Sequence, residues 1–340
     1  MTTLVALATK DALVFGCDSL GSRTGRVIDP ADLVEFFNLD DKDAPLKVDK
    51  DGKPLIKSFN DIYYKSVSVP SEHMTHMTKL FSLEPLPACV MLTGITSVGE
   101  RTIKSLIEEF VMKNAETIGT SDYIVRHIAE KLMEHILQYY EKTYPDEKTR
   151  PELELILGGY GKKEALPEIY RIKLPGKNIE LQLDPEKGSR FGIVFAGQMK
   201  EIQRIVFGTD SRNNFELRKR HIVLLEKYRD KIIELLKASN ISFKIPDFTK
   251  DELLGLDIFA DNWALEGFEA NWGDFSEQNA IECVDFFVNI MIKSQQFSSG
   301  MPTVGGEVHI ALITKDKVRF VSKEEYCHAG YFTSKHHHSK

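Results

Sequence analysis

Two short apolar runs open the chain, and they restrict its fold more than any other stretch. Residues 4–8 and 12–17 flank a polar break at Lys10 and Asp11. Runs that are this short, rich in Val, Leu and Phe, and without polar alternation predict two strands joined as a hairpin. Strands that are apolar on both faces are covered on both faces, so we expect this hairpin in the middle of a layered domain. Chain starts normally fray, so something must hold this terminus in place.

A fixed terminus suits a threonine nucleophile. The threonine hydroxyl is a weak nucleophile until a base takes its proton, and an N-terminal residue carries such a base in its α-amine, whose pKa is about 7.7–8.0. Thr2 becomes terminal if Met1 is removed, which its small side chain favours. Asp18 ends the second predicted strand and is expected beside Thr2, because the hairpin returns there. The same residues are also typical of a solvated chain start and a strand-end turn, so the residues alone leave both interpretations open.

Five stretches, taken in chain order, resemble the proteasome β-subunit family, including bacterial proteasome-like peptidases whose only leader is the initiator methionine. They are TTLVA through CDS at 2–19, TKLFSL at 78–83, VMLTG at 90–94, LELILGGY at 153–160 and GGEVHIALIT at 305–314. Each stretch alone is a weak signal, whereas the ordered set is specific.

The resemblance implies an α+β fold, the four-layer αββα sandwich of N-terminal nucleophile hydrolases. The predicted element order, strands, two helices, strands, helix, strands, agrees with this architecture. Residues 1–340 then form a single proteasome-like domain. Two long segments have no counterpart in the family, an inserted subdomain at 23–76 and an inserted helical segment at 209–274.

By position, the resemblance also implies the catalytic residues. Thr2 is the nucleophile and, through its amine, the general base. Asp18 and Lys79 form a buried ion pair beside it, since a buried ammonium needs a partner charge. The positive charge of Lys79 lowers the pKa of the amine. The backbone N–H of Gly94 stabilises the oxyanion.

Four further residues fall where family members bind substrate. Ser22 and Thr96 correspond to residues that bind the substrate backbone. Met77 and Leu92 correspond to residues that line the specificity pocket, which implies a preference for an apolar residue before the scissile bond.

Three positions depart from the family pattern. Gln198 and Met301 replace a serine and an aspartate that support the threonine amine, and Val304 replaces a further serine. The interval from Lys79 to Gly94 is also one residue longer than usual. Three functions therefore remain open: a threonine peptidase inside a ring, an N-terminal nucleophile amidohydrolase acting on small amides under the two insertions, and an inactive proteasome-like scaffold subunit.

Local patterns predict several elements directly. Apolar stripes predict helices at about 97–114, after an N-cap signal at 120–122, and at 276–297. A long charged helix is predicted at about 215–238. Asp51-Gly52 predicts a hairpin turn within the first insertion.

The composition restricts the classes of partner that the chain is expected to bind. The net charge of −7 and the pI of about 5.9 argue against a nucleic-acid surface. The sequence has no signal peptide and no apolar run near the length of a membrane span, so we expect a cytoplasmic protein without membrane contact. The expected partners are a peptide or unfolded-protein substrate and copies of the chain in a homo-oligomeric ring. Because the chain has no Walker motif, the unfolding of a folded substrate would require a separate ATPase unfoldase.

No cofactor or metal is expected. The four cysteines lie far apart and form no CxxC pair, which favours reduced core cysteines. His73 and His76 lie three residues apart, but no third ligand has a matching spacing, so they are predicted to be surface histidines.

Overall fold

Two five-stranded sheets, in which every pairing is antiparallel, organise the part of the chain that the structure describes. The computed structural model describes residues 2–27, 47–48, 50–56, 67–147, 150–239, 268 and 270–322. Within these ranges the protein is a mixed α/β structure.

The strands are β1 (Thr3–Ala8), β2 (Leu13–Asp18), β3 (Gly21–Val27), β4 (Val67–Met74), β5 (Leu80–Ser82), β6 (Ala88–Gly94), β7 (Ser97–Val98), β8 (Arg101–Thr102), β9 (Leu153–Gly159), β10 (Glu168–Leu174), β11 (Asn178–Gln182), β12 (Gly192–Gly197), β13 (Val308–Ile313) and β14 (Val318–Val321). The helices are α1 (Ile103–Thr120), α2 (Val125–Thr143), α3 (Lys200–Phe207), α4 (Ser211–Ala238) and α5 (Glu277–Phe297).

The predicted hairpin lies in the middle of the first sheet, whose order is β12-β1-β2-β13-β14. Every residue of β1 and β2 is buried, so the prediction of a hairpin covered on both faces is confirmed. The second sheet has the order β11-β10-β9-β6-β5.

Three apolar clusters join the sheets and helices. The cluster between the two sheets includes Leu4, Phe15, Met91 and Ile156. The cluster between the first sheet and α5 includes Val5, Val14, Val284 and Phe287. The cluster between the second sheet and the pair α1 and α2 includes Val90, Leu155, Phe110 and Ile136. Each fully buried side chain of this size contributes about 1.5–3 kcal/mol, so both faces of each sheet contribute to the core.

The first long helix begins and ends six residues later than the sequence predicts. The expected start at residue 97 lies instead in a small ribbon formed by β7 and β8. Helix α1 begins after Thr102, whose extended backbone and side chain, accepting from Ser105 N, form the N-cap. The apolar stripe was correctly predicted, because Leu106 and Phe110 are fully buried.

The second predicted helix start was also displaced. Thr120 ends α1, and α2 begins at Val125 after Ile124, which makes no side-chain cap bond. The packing of the apolar stripe, and not the polar N-cap signal, therefore determines where α2 starts.

The described ends of the segment 23–76, which is expected to be an insertion, belong to a ribbon in which β3 pairs with β4. The predicted turn at Asp51-Gly52 lies between Val48 and Pro54, which form an antiparallel bridge. In the second insertion, α4 extends the predicted helix to an earlier start. Among the helices that the structure describes, none combines the length and apolar character needed to span a bilayer.

Candidate active site

The carboxylate of Asp18 organises the site at the end of β2. Its Oδ1 accepts hydrogen bonds from the backbone N–H of Thr3 at 2.9 Å and from Lys79 Nζ at 2.9 Å. Its Oδ2 accepts from the backbone N–H groups of Leu20 at 3.2 Å and Gly305 at 3.1 Å. Four donors therefore compensate for the burial of this charge and fix its orientation.

Lys79 lies directly before β5 and is buried with its partner. The ion pair with Asp18 that the resemblance implies is present, and the ammonium also donates to the carbonyl of Leu20 at 2.6 Å. An ammonium has three N–H donors, so these two bonds leave one donor for a further acceptor in the site.

Thr2 is buried at the start of β1, and contacts with the segment after β12 hold it there. Its carbonyl accepts from Gln198 N–H at 2.7 Å. The hydroxyl of Thr3 donates to the carbonyl of Gln198 at 2.8 Å. Together with the bond from Thr3 N–H to Asp18, these contacts explain how the start of the chain is tied down. Met1 lies outside the described residues.

Gly197 allows the close approach of β12 to Thr2. Its φ of +76° is in the left-handed region, and a Cβ placed on it would lie 2.0 Å from the Thr2 carbonyl oxygen. Only glycine tolerates both conditions. The same Cβ position is 3.3 Å from Thr93 Oγ1, so the hydroxyl of Thr93 and the backbone of Thr2 are neighbours.

Thr93 is a site residue that sequence reasoning missed. On β6, Cys89 and Met91 face the first sheet, whereas Val90 and Leu92 face the helices. The alternation of side chains along a strand places Thr93 on the face toward the first sheet. This alternation could be read from the sequence, but it does not show that this face of β6 lies beside Thr2.

Gly94 ends β6 directly after Thr93 and pairs with Leu153. Its φ is +108°, and a Cβ there would lie 2.5 Å from the carbonyl oxygen of Glu152. Glycine is therefore required by the packing of β6 against the chain entering β9. Its predicted role as oxyanion donor stays a prediction.

The expected pocket residues Met77 and Leu92 are both tied by backbone bonds to the region of the ion pair. Met77 N–H donates to the Ser19 carbonyl at 2.8 Å, and Leu92 N–H donates to the Lys79 carbonyl at 3.0 Å. Met77 is half-buried, whereas Leu92 is only 4% exposed. Leu92 therefore presents little surface to a ligand.

The two residues expected to bind the substrate backbone lie on separate ribbons. Ser22 is half-buried on β3, opposite His73. Thr96 is exposed before β7, and its carbonyl accepts from Ile103 N–H at 2.9 Å. Their roles in substrate binding stay predictions.

Comparisons with known proteins yield one described similarity. No family model matches the sequence, and no curated protein matches it. Among solved structures, the chain is similar to the Anbu (Gly-1) mutant from Hyphomicrobium sp. strain MC1, with a TM-score of 0.47 and 12% sequence identity. The match covers 100% of this chain and 97% of that chain.

The three departures from the family pattern have different surroundings. Val304 is buried in the cluster beside α5, and it precedes Gly305, whose N–H binds Asp18. Met301 is 47% exposed. Gln198 holds Thr2 through its backbone, as described above. The side chains of Val304 and Met301 therefore supply no polar support to Thr2.

Cys17 precedes Asp18 and is the other potential nucleophile at this position. Its side chain is fully buried, and burial raises the pKa of the thiol to about 12, although the charge of Lys79 acts in the opposite direction. The thiol stays protonated at neutral pH and is a poor nucleophile.

The described residues contain no group of three or more His, Cys, Asp or Glu side chains placed to hold a metal ion. His73 and His76 are both exposed.

An open groove of about 670 Å³ lies among α5, β13, β14 and the start of β5. Thr78, the neighbour of Lys79, lines this groove, whereas Asp18 and Lys79 do not.

Proposed function

We propose that this protein is a threonine peptidase that hydrolyses peptide bonds with Thr2 as the nucleophile, after Met1 is removed. One observation carries the proposal: a single oxygen of buried Asp18 binds both Lys79 and the amide of Thr3, the residue that follows Thr2. The arrangement fixes a threonine at the chain start beside a buried ion pair, and the order of the sequence motifs resembles that of proteasome β-subunits.

The reaction needs no group from outside the chain except water. The α-amine of Thr2 takes the hydroxyl proton while the hydroxyl oxygen attacks the substrate carbonyl. The resulting oxyanion is stabilised by the N–H of Gly94. The C–N bond then breaks, the ammonium returns its proton to the leaving amine, and an ester to Thr2 remains. A water molecule, deprotonated by the same amine, hydrolyses this ester and restores the hydroxyl.

Lys79 and Met1 both affect the basicity of the nitrogen of Thr2. The positive charge of Lys79 lowers the pKa of the amine, so more of it is unprotonated and able to act as a base at neutral pH. With Met1 retained, the nitrogen of Thr2 belongs to an amide and cannot accept a proton at neutral pH. Removal of Met1 is therefore obligatory for activity.

The proposed architecture is the four-layer αββα sandwich of N-terminal nucleophile hydrolases. The apolar clusters support it, since they connect α1 and α2, the second sheet, the first sheet and α5 in that order. In this proposal, residues 1–340 are one domain, and 23–76 and 209–274 are insertions in it.

A second candidate is an inactive scaffold subunit of the same fold. Buried Val304 and exposed Met301, which replace polar residues of the resembling family, favour it. The third function, hydrolysis of small amides, differs from the first only in the substrate that reaches the site.

Mass spectrometry after treatment with a peptide epoxyketone tests the proposal, because this reagent needs both the hydroxyl and the free amine of an N-terminal threonine. We expect a protein that lacks one methionine and carries one adduct on Thr2. Thr2→Ala should show no adduct, whereas Thr117→Ala on the exposed face of α1 should react like wild type. A Met1-free wild-type protein without an adduct would point to the scaffold subunit. Cleavage of acyl-amides but not of peptides would point to the small-amide hydrolase.

Assembly and partners are part of the proposal. An exposed peptidase site would threaten other cytoplasmic proteins, and one repeated head-to-tail contact can close a ring around such sites. The substrate is then a peptide or an unfolded protein, delivered by a separate ATPase. Light scattering at micromolar concentration should give a closed oligomer, and a clean monomer would reject the ring.

A further inference from the structure

The hydroxyl of Thr93 lies beside the backbone of Thr2, and the proposed mechanism gives it no part. Thr93 is 9% exposed, on the face of β6 toward the first sheet. None of the residues that the structure describes hydrogen-bonds this hydroxyl, in contrast to that of Thr3, which donates to Gln198. A hydroxyl can donate one hydrogen bond and accept others, so that of Thr93 is able to bind a neighbouring group or a ligand.

The position of Thr93 identifies the group that completes it. The left-handed turn at Gly197 lies against both the Thr2 backbone and Thr93 Oγ1. A Cβ placed on Gly197 would be 2.0 Å from Thr2 O and 3.3 Å from Thr93 Oγ1. The carbonyl of Thr2 accepts from Gln198 N–H and makes no hydrogen bond with the Thr93 hydroxyl. The backbone group of Thr2 that changes on maturation is its nitrogen, which becomes an amine with additional N–H donors when Met1 leaves.

We propose that Thr93 is a positioning residue whose hydroxyl accepts a hydrogen bond from the α-amine of mature Thr2. The inference rests on the proposed function. When an amine donates one N–H to a fixed acceptor, its orientation is fixed as well. In this proposal the orientation points the lone pair of the Thr2 amine at the Thr2 hydroxyl. The acceptor also favours the protonated amine, because a hydrogen bond to the charged form raises the pKa of a base.

The charged and titratable groups on the strands around Thr2 are the same in wild type and in every variant used below. Asp18 and Lys79 form one pair, and Glu154 and Arg171, on β9 and β10, form another at 3.3 Å. The buried thiol of Cys17 stays protonated. A change in the pH profile on substitution of Thr93 therefore reports on the hydroxyl and not on a lost charge.

Thr93→Val tests the proposal, because it removes the hydroxyl and keeps the shape. We expect kcat to fall about five- to tenfold, the rate equivalent of one hydrogen bond, with KM little changed. The acid limb of the pH profile of kcat/KM should move to lower pH, because loss of the acceptor lowers the pKa of the amine. Thr93→Ser should restore both values. The rate of epoxyketone modification should follow kcat.

The controls separate this inference from the proposed function. Thr117→Val makes the same change on the exposed face of α1 and should leave kcat and the pH profile as in wild type. A wild-type protein that the epoxyketone does not modify would reject the proposed function. A modified wild type with unchanged kcat and pH profile in Thr93→Val would reject the role of Thr93 alone. If Thr93→Val does not fold, Thr93→Ala, which avoids a branched apolar side chain, supplies the same two measurements.

Discussion

Asp18 and Lys79 form an ion pair with 2.9 Å between Oδ1 and Nζ, in which the side chains are 0% and 4% exposed. Sixty-one positions separate them in the sequence. The ribbon of β3 and β4 closes this interval, so the chain leaves β2 and returns to β5 beside its starting point. A long intervening segment therefore separates Asp18 and Lys79 in sequence without separating their charges in space.

Lys79→Met should destabilise the protein by about 3–5 kcal/mol, because it leaves the carboxylate of Asp18 buried without its counter-charge. Urea unfolding measures the loss. The double variant Asp18→Asn/Lys79→Met should be more stable than Lys79→Met, since it removes both charges. Lys10→Met breaks an ion pair with Asp274 in which both side chains are more than half exposed, and it should cost less than about 1 kcal/mol. Equal stability of Lys79→Met and Lys10→Met would contradict the buried pair.

Gly197→Ala should both destabilise the protein and abolish activity. A left-handed backbone costs a non-glycine residue about 1–3 kcal/mol, and here the new Cβ would also displace the carbonyl of Thr2. Gly176→Ala is the matched control, because a Cβ there meets no atom within 4 Å. Thermal unfolding and peptidase assays of the two variants give the comparison. A Gly197→Ala protein as stable as Gly176→Ala would show that β12 does not approach Thr2 as described.

The hairpin could be predicted from sequence because its signal is local. Apolar residues without alternation fix the strands, and the polar Lys10-Asp11 break fixes the turn between them. The start of α1 could not be predicted in the same way. The prediction started the helix at residue 97, although its apolar stripe begins at Ile103. The pairing of β7 with β8 and the cap at Thr102 exclude the earlier start.

The charged pair of the candidate site could be predicted from the sequence. A resemblance in motif order was enough to pair Asp18 with Lys79 across the insertion. Thr93 was missed because its importance comes from the turn at Gly197, on a strand about a hundred positions away in the sequence, and no local pattern indicates which strand lies against Thr2. Leu92 was expected to line a pocket, and its near-complete burial depends on how α1 and α2 cover the second sheet.

Stability should depend on acid pH through Glu109. The side chain hydrogen-bonds Lys113, Arg101 at 2.6 Å and Tyr139 at 3.0 Å, and these bonds lower its pKa to about 2. The unfolded value is about 4.3. A lowered folded pKa contributes stability above the unfolded value and loses it as the pH falls toward the folded value.

The free energy of unfolding should therefore differ between wild type and Glu109→Gln at pH 6–8, and the difference should shrink as the pH falls from about 5 to about 2. Urea titrations at a series of pH values measure it. Glu108→Gln removes an exposed carboxylate of the same helix, paired with Lys104 at 3.8 Å, and should change stability little. A difference that grows on acidification would contradict the sign.

The reactivity of the thiols distinguishes a threonine nucleophile from a cysteine nucleophile next to the same ion pair. Burial raises the pKa of Cys17 and of Cys283 to about 12 and raises that of Cys89 further, so none of the three holds a thiolate near neutral pH. Cys327 lies outside the described residues, and Cys327→Ser removes its contribution. In this variant we expect no rapid reaction with a thiol-specific disulfide reagent at pH 8, and reaction of all three thiols after denaturation. Cys17→Ala should still form the epoxyketone adduct, because the attacking group is the Thr2 hydroxyl. Rapid native reaction that disappears in Cys17→Ala, together with loss of activity, would transfer the nucleophile from Thr2 to Cys17.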